Sequence, residues 1–502
     1  MGIDINNLRV DRGGDPEKVK EWQRKRFAKV EIVDECVEKD NLWRTVVSTI
    51  DNLKKEKNAV QKEIGKHMKA KEQPPPELLE RKAAVEAEIL QKEAEKIDLE
   101  AVVQKLLNQI GNMVDDDVPV SQDEAENGTV RTHGPTPSGP QYNNHHNLLH
   151  KIGGYEPERG SKVAGNRCYF LRDAGVRLNQ ALINYGMDFC RERGYSLLST
   201  PYFMNKEIMS GVAQLEQFDE ELYKVSGSGV QDSYLIATSE QPICGFHKDE
   251  WLQPGDLPLR YCGYSTCFRK EAGSSGRDVW GIFRVHQFEK IEQFIFCESD
   301  IEVSRAMQEE MIACAEAFYQ SLGFSYRVIN LVSGELNNAA IKKYDLEAWF
   351  PGYGEYRELV SCSNCTDYQA RAMEIRCGTK KQGEKDKKYV HMLNATLCAT
   401  TRTICCILEN YQTETGVRVP EVLVPYMGGT TFLPFIWEDK LASKGERGAQ
   451  KKAEKAKGPK QSDKGGKGQK QEKQAKPAKQ EGKKAKGAAA AAGGGQGKGG
   501  KK

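Results

Sequence analysis

The chain has 502 residues, 38% hydrophobic and 29% charged, enough for two to four domains and a large buried core. It starts on charged residues without an apolar h-region or a Ser- and Arg-rich transit segment, carries Asn6 where a myristoylation motif wants Ser or Thr, and nowhere reaches the ~18 apolar residues of a membrane span, so secreted and membrane-spanning classes are excluded and a cytoplasmic location is expected. The net charge of +2 hides an asymmetry: from Ser443 onward about 19 basic residues face about 5 acidic ones, leaving about −12 on residues 1–442.

Residues 41–112 read as two long helices. Apolar positions recur in steps of three or four at Trp43, Val47, Ile50, Leu53, Val60, Ile64 and Met68, with Lys57 filling one gap. They recur again at Leu78, Val85, Ile89, Leu99, Val103, Leu106 and Ile110. One narrow apolar seam on a charged helix needs one narrow partner. Gln73-Pro74-Pro75-Pro76 breaks the helix between them, because proline lacks an N–H and disfavours helix before it. The economical reading is an antiparallel coiled-coil arm of about 45–50 Å; the plainer one is two helices of an ordinary bundle. With the residues before it, this arm makes an N-terminal domain over 1–112.

Residues 113–160 are poor in apolar side chains and rich in Asp, Asn, Gly, Pro and His, which predicts an irregular linker. Its histidines, His145, His146 and His150, are expected to face solvent rather than bind metal. Residues 161–442 form the expected catalytic domain. Val176–Arg193 has a helical pattern, and Tyr195–Thr200, Tyr234–Ala237, Arg284–Gln287 and Gln293–Phe296 read as strands. Strands without regular crossover helices predict an α+β fold, an antiparallel sheet flanked by helices. Residues 443–502 are Lys, Gly, Ala and Gln; such a tail is expected to be disordered.

The stretch richest in chemistry runs from Thr266 to Lys290. It reads as a strand, a polar Ser/Gly/Arg/Asp loop and a return strand. Arg269 and Arg284 are suited to phosphate oxygens, and Phe288 offers a flat face to a base. On pattern alone this favours nucleotide binding.

Phe268-Arg269-x-Glu271 followed by Arg284-Val285-His286-Gln287-Phe288 resembles motif 2 of the class II aminoacyl-tRNA synthetases in their seryl form. Thr200-Pro201 resembles motif 1, and Ala399-Thr400-Thr401-Arg402-Thr403 resembles motif 3. Thr238-Ser239-Glu240 resembles the family's serine-binding loop; the blocks Arg357–Gln369 and Met392–Thr396 resemble two further seryl segments. The likeness runs from the N-terminus to about residue 430, and the helical hairpin matches the family's tRNA-binding arm.

The resemblance implies ATP-dependent activation of L-serine and its transfer to tRNA(Ser), and to selenocysteine tRNA where the host has one. It implies that Thr238, Ser239 and Glu240 bind serine, Thr238 and Glu240 holding its ammonium, and that Glu292 and Asn394 meet its hydroxyl. Arg269 is expected on the serine carboxylate and the α-phosphate, and Arg402 on the γ-phosphate, the two being the catalytic residues. Lys270, Glu271, Val285 and Phe288 are expected around the nucleotide, with Glu358, Leu359, Val360 and Ser361 on its phosphate side. Glu358 and Ser361 are the expected ligands of Mg²⁺ carried with ATP. The family also implies a homodimer in which the arm of one subunit serves the site of the other. Read without the family, Glu292 is a surface strand residue and Asn394 a helix cap.

Cys362-x-x-Cys365 has metal-ligand spacing, with Cys377 and Cys398 as further thiolates. No second close pair follows, and the Thr-Ser-Glu loop belongs to the zinc-free branch, so no zinc is expected. The rival functional reading is an inactive relative kept as an RNA-binding scaffold; intact Arg269, Glu271, Glu358 and Arg402 argue against it. Cys168 and Asp173 stand where relatives often carry glycine. The Lys-rich tail is expected to add RNA affinity, and Lys483-Lys484-Ala485-Lys486 suits a minor nuclear pool.

Overall fold

The computed structural model describes residues 2–135, 143–213, 221–227, 232–271, 276–379 and 388–438. The basic tail lies outside these residues, as do residues 272–275 of the motif 2 loop.

After a short helix α1 (Pro16–Lys25), two helices of 39 and 32 residues, α2 (Glu31–Lys69) and α3 (Pro76–Leu107), pack side by side. Ile50, Leu53, Val60 and Ile64 of α2 and Val85 and Ile89 of α3 are buried, as the seam predicts. The pairs Lys54–Glu93 (2.9 Å), Lys57–Glu86 (3.0 Å) and Arg81–Glu56 (2.8 Å) run antiparallel along its flanks. Lys57, the gap in the apolar pattern, is thus a flank residue. The hairpin starts ten residues earlier than expected. Val33 and Cys36 are fully buried against the base of the arm, and Asp40 accepts from Arg9 at 2.6 Å. It also ends earlier, at Leu107. Gly111 lies beyond it, where a Cβ would come within 2.7 Å of the Arg26 side chain.

The segment read as a linker departs from that reading. Gly128–His133 forms strand β1 at one edge of the main sheet, and His145–Lys151 forms helix α4, with Leu148 and Leu149 fully buried. The pattern was hard to see because β1 is an edge strand whose residues are mostly exposed.

The main sheet has eight strands. After β1 come β2 (Ser196–Ser199), β3 (Leu259–Phe268), β4 (Gln287–Cys297), β5 (Tyr326–Asn330), β6 (Lys342–Phe350), β7 (Glu355–Asn364) and β8 (His391–Ala399). Their order is β1-β5-β6-β7-β8-β4-β3-β2. Every neighbouring pair is antiparallel except β2–β3, which is parallel. Helices α5 (Asp173–Arg191), α6 (Ile301–Ser321) and α7 (Thr400–Asn410) pack on it and share its core. The predicted helix at 176–193 is α5. Arg284–His286 is not strand: β4 begins at Gln287, the last residue of one predicted strand, and runs unbroken to Cys297 through the other.

Two slips in register shape the sheet's open face. Between β6 and β7 the pairing passes from Leu346–Val360 to Glu347–Glu358, leaving Leu359 as an extra residue. Between β4 and β8 it passes from Ile291–Cys398 to Glu292–Thr396, leaving Leu397 extra. A bulge of this kind re-aims the side chains beyond it.

Candidate active site

A cavity of about 320 Å³ opens on the sheet face formed by β4, β6, β7 and β8 and the start of α7. Each strand delivers side chains to it by its period of two. From β4 come Phe288, Lys290 and Glu292; from β8, Asn394 and Thr396; from β7, Ser361 and Ser363. Glu358 lies three residues before Ser361, a spacing that puts side chains on opposite faces of a regular strand. The extra residue Leu359 cancels that mismatch, and both line the cavity.

Most of the residues expected from the sequence meet here: Thr238, Glu240, Arg269, Glu271, Val285, Phe288, Glu292, Glu358, Leu359, Ser361, Asn394 and Arg402. Three do not line the cavity. Ser239 is fully buried beneath it, with its hydroxyl 3.5 Å from the Gly263 carbonyl. Val360 points into the hydrophobic core, and Lys270, beyond the end of β3, donates its backbone N–H to the Glu221 carbonyl. Glu292 is no surface residue and Asn394 no helix cap: they are 2% and 7% exposed, on two adjacent strands.

Arg269 follows β3. Its backbone N–H donates to the His286 carbonyl at 2.9 Å, its Nε to the Ala237 carbonyl at 3.3 Å, and its guanidinium lies 5.4 Å from the Phe288 ring centre. It therefore stands between the loop carrying Thr238 and Glu240 and the aromatic wall. Glu271 has φ of +50° and accepts from Arg284 at 3.0 Å. Arg402, in the first turn of α7, donates to the Phe283 carbonyl (3.4 Å) and to the Glu358 carboxylate (3.2 Å), with its guanidinium 4.9 Å from the Phe283 ring centre.

The electrostatics divide the cavity. Burial, and then the nearby Glu292, push the Glu240 carboxyl above the usual carboxylate range; Gln369 donates to it at 3.0 Å. Burial works on Glu358 in the same direction, but Arg402, Lys343 and Arg269 outweigh it and hold its carboxyl below that range. Its side chain is 46% exposed, so the cations rather than burial decide. Burial lowers the Lys343 ammonium, yet Asp345 and Glu358 more than offset this and raise it. One part of the cavity thus holds the buried Glu292, paired with Lys290, beside the half-buried Glu240, and another gathers Arg402, Lys343 and Arg269 around the exposed Glu358.

Glu358 and Ser361 offer two hard oxygen donors open to the cavity. Mg²⁺ keeps several waters and takes one or two protein oxygens beside substrate phosphates, so this sparse donor set fits Mg²⁺ arriving with a nucleotide. Among the described residues no three His, Cys, Asp or Glu side chains gather closely enough to hold a metal by themselves. Cys362 Sγ lies 3.7 Å from the Gln308 carbonyl on one side of the sheet, and Cys365 Sγ accepts from Asn394 Nδ2 at 3.7 Å.

Sequence reasoning gave no role to Lys290, Thr396, Lys343 or Asn337, all of which line the cavity. Lys290 and Thr396 were within reach, since each stands two residues from a predicted site residue on the same strand. His145, expected in solvent, is fully buried. Its Nδ1 lies 2.9 Å from Glu409 of α7 and its Nε2 3.2 Å from the Trp280 carbonyl.

Two family models match the chain: the seryl-tRNA synthetase N-terminal domain over residues 3–114, and the class II core domain of the G, H, P, S and T synthetases over residues 223–411. The chain is 54% identical over 436 residues to a protein named cytoplasmic serine–tRNA ligase of Dictyostelium discoideum, covering 87% of this chain and 96% of that one. It is 50% identical over 466 residues to the protein of that name in Saccharomyces cerevisiae, covering 90% and 100%. Among solved structures it is similar to the cytoplasmic serine–tRNA ligase of Naegleria fowleri in complex with AMP (TM-score 0.78, 49% identity, 87% of this chain and 100% of that one). It is also similar to the seryl-tRNA synthetase of Pyrococcus horikoshii complexed with ATP (TM-score 0.79, 38% identity, the same coverage). Among the described residues no helix is long and apolar enough to cross a membrane.

Proposed function

The chain belongs to the serine–tRNA ligases, within the class II aminoacyl-tRNA synthetases, and on that premise we propose how its side chains carry out the two steps of the family's reaction. In the first, the serine carboxylate attacks the α-phosphorus of ATP and pyrophosphate leaves. In the second, the 3′ end of tRNA(Ser) takes the seryl group and AMP leaves. No protein nucleophile is required; the work is positioning and charge stabilisation.

Glu240 and Thr238 receive the serine ammonium, with Ser239 supporting their loop from below. Glu292 and Asn394 face the hydroxyl, so that alanine leaves buried polar groups unpaired. Arg269 bridges the serine carboxylate and the α-phosphate and stabilises the charge that builds at in-line attack. Phe288, Val285 and Glu271 form the adenine site, and Lys270 and Val360 contribute backbone only. Arg402 leaves Glu358 to meet the γ-phosphate. Glu358 and Ser361 hold Mg²⁺, which supplies charge neutralisation on the phosphates when bound. The observation that carries this reading is Arg269, fixed by two backbone carbonyls between the Glu240 and Glu292 carboxylates and the side of the cavity that holds Lys343 and Arg402.

The arm α2–α3 binds tRNA(Ser), and the same charging extends to selenocysteine tRNA where the host has one. The active form is a homodimer formed at the β2 edge of the sheet. That edge strand and its surroundings expose Leu197, Val176 and Phe203, an unpaired edge beside apolar side chains. Location in the cytoplasm follows the relatives' names; for the nuclear pool there is only the tail sequence.

Replacing residues 55–92 with a short Gly–Ser turn tests the arm. Serine-dependent ATP–pyrophosphate exchange is expected to survive and charging of tRNA(Ser) to fall by a factor on the order of 100, since phosphate contacts dominate RNA affinity. Undiminished charging would refute this assignment of the arm.

A further inference from the structure

Lys290 has no role in the scheme above, yet it is 6% exposed and lines the serine end of the cavity. It stands on β4 between Phe288 and Glu292, on the face they share. Its Nζ lies 2.5 Å from Glu292 Oε2, and Thr396 donates its hydroxyl to the same oxygen at 3.2 Å from β8. The second carboxylate of this pocket, Glu240, accepts from the neutral Gln369 amide and has no cation at ion-pairing distance among the described residues.

Two carboxylates in one small pocket, Glu292 buried and Glu240 half-buried, present the same chemistry to an ammonium. Serine brings one ammonium and one hydroxyl, so a single bound orientation requires the two carboxylates to differ. Lys290 makes them differ. It neutralises Glu292 and occupies one of its oxygens, leaving the other as an acceptor for a hydroxyl. Glu240 feels Lys290 and Arg269 only through space and, with no ion pair at contact among the described residues, keeps its oxygens open to the ammonium. A second ammonium placed at Glu292 would meet a carboxylate already paired and a like charge beside it, out of reach of water.

Building on the serine assignment, we propose that Lys290 is a specificity-determining positioning residue: it makes this end of the cavity accept a hydroxyl and reject an amine of the same size. The amino acid it excludes is L-2,3-diaminopropionate, serine with NH₃⁺ in place of OH. An unpaired Glu292 would welcome that molecule better than it welcomes serine.

The test is amino-acid-dependent ATP–pyrophosphate exchange by the full chain with serine and with 2,3-diaminopropionate. The unaltered chain is expected to prefer serine by a factor on the order of 1,000 or more in kcat/KM, the scale of discrimination a site built on buried polar groups can reach. Lys290→Met, which keeps length and removes charge, is expected to lower that ratio by a factor on the order of 100, through a loss with serine and a gain with the diamine. Lys290→Arg is expected to keep serine preferred. Lys290→Met/Glu292→Gln removes both charges, avoids an unpaired buried carboxylate, and is expected to lose the gain with the diamine. An unchanged ratio in Lys290→Met, or an equal gain in the double variant, overturns the inference alone. Absence of serine-dependent exchange in the unaltered chain overturns it together with the reading of the site on which it rests.

Discussion

Substituting His145 by Gln removes the charge from a fully buried ion pair that joins α4, α7 and the exit of the motif 2 loop. The Trp280 carbonyl can only accept, so Nε2 of His145 carries a proton; Nδ1 faces the Glu409 carboxylate, which also accepts from the backbone N–H groups of His145 (3.0 Å) and Gly352 (2.8 Å). Burial opposes the imidazolium, but Cys405 and Glu409 outweigh it and push its pKa up to about 10. The unfolded-state value is near 6.5, at about 1.4 kcal/mol per unit, so the surroundings that hold the charged His145 contribute up to about 5 kcal/mol, the Glu409 ion pair being one part of this beside Cys405. Removing one partner of a buried pair costs about 3–5 kcal/mol by an independent route. The folded pKa is raised, so this stability is fully present below pH about 6.5 and is lost as pH rises towards 10. Thermal unfolding of the chain and of His145→Gln at equal concentration should show a Tm gap on the order of 3–5 °C at pH 6.5. The gap should narrow by pH 9.5, where titrations common to both proteins cancel in the difference. An equal gap at both pH values, or none, would refute the argument.

Arg26 donates to the carbonyls of Asn112 (2.8 Å), Met113 (3.2 Å), Asn337 (2.9 Å) and Ala340 (2.5 Å), tying the base of the arm to the loop that carries the cavity residue Asn337. Arg26→Met leaves these carbonyls without donors at about 1–3 kcal/mol each, and calorimetry should resolve separate unfolding of the N-terminal residues; one transition at an unaltered midpoint would contradict this. A chain ending at residue 442 should activate serine normally but bind tRNA(Ser) more weakly at physiological salt, and equal binding would remove the tail from the account.

What the sequence disclosed follows local chemistry. The arm was legible because Ile50, Leu53, Val60 and Ile64 repeat at helical spacing and the prolines mark the turn. Arg269, Glu271, Phe288 and Arg402 were legible because they occur in family motifs. The misses have physical causes. β4 was split in two because Glu289, Lys290 and Glu292 look like surface residues, whereas Lys290 and Glu292 are buried charges turned into the cavity. β8 shows no alternation of apolar and polar residues because it is buried on both faces, its Asn394 and Thr396 serving the cavity. The shared face of Glu358 and Ser361 depends on one extra residue, Leu359, and no spacing rule shows a bulge. His145 was assigned to solvent because its partner Glu409 lies 264 positions away. Local preference failed mainly where charge is held in place for function, which is where such failures are expected.

The most direct test of the account is serine-dependent exchange of pyrophosphate into ATP by the full chain, with alanine and threonine as controls and Arg269→Ala beside it. Exchange is expected with serine alone, and the variant should lose at least a factor on the order of 100–1,000, the scale of removing one preorganised charge donor from a transition state. A folded chain that binds tRNA(Ser) yet supports no exchange, or an Arg269→Ala variant as active as the parent, would contradict it.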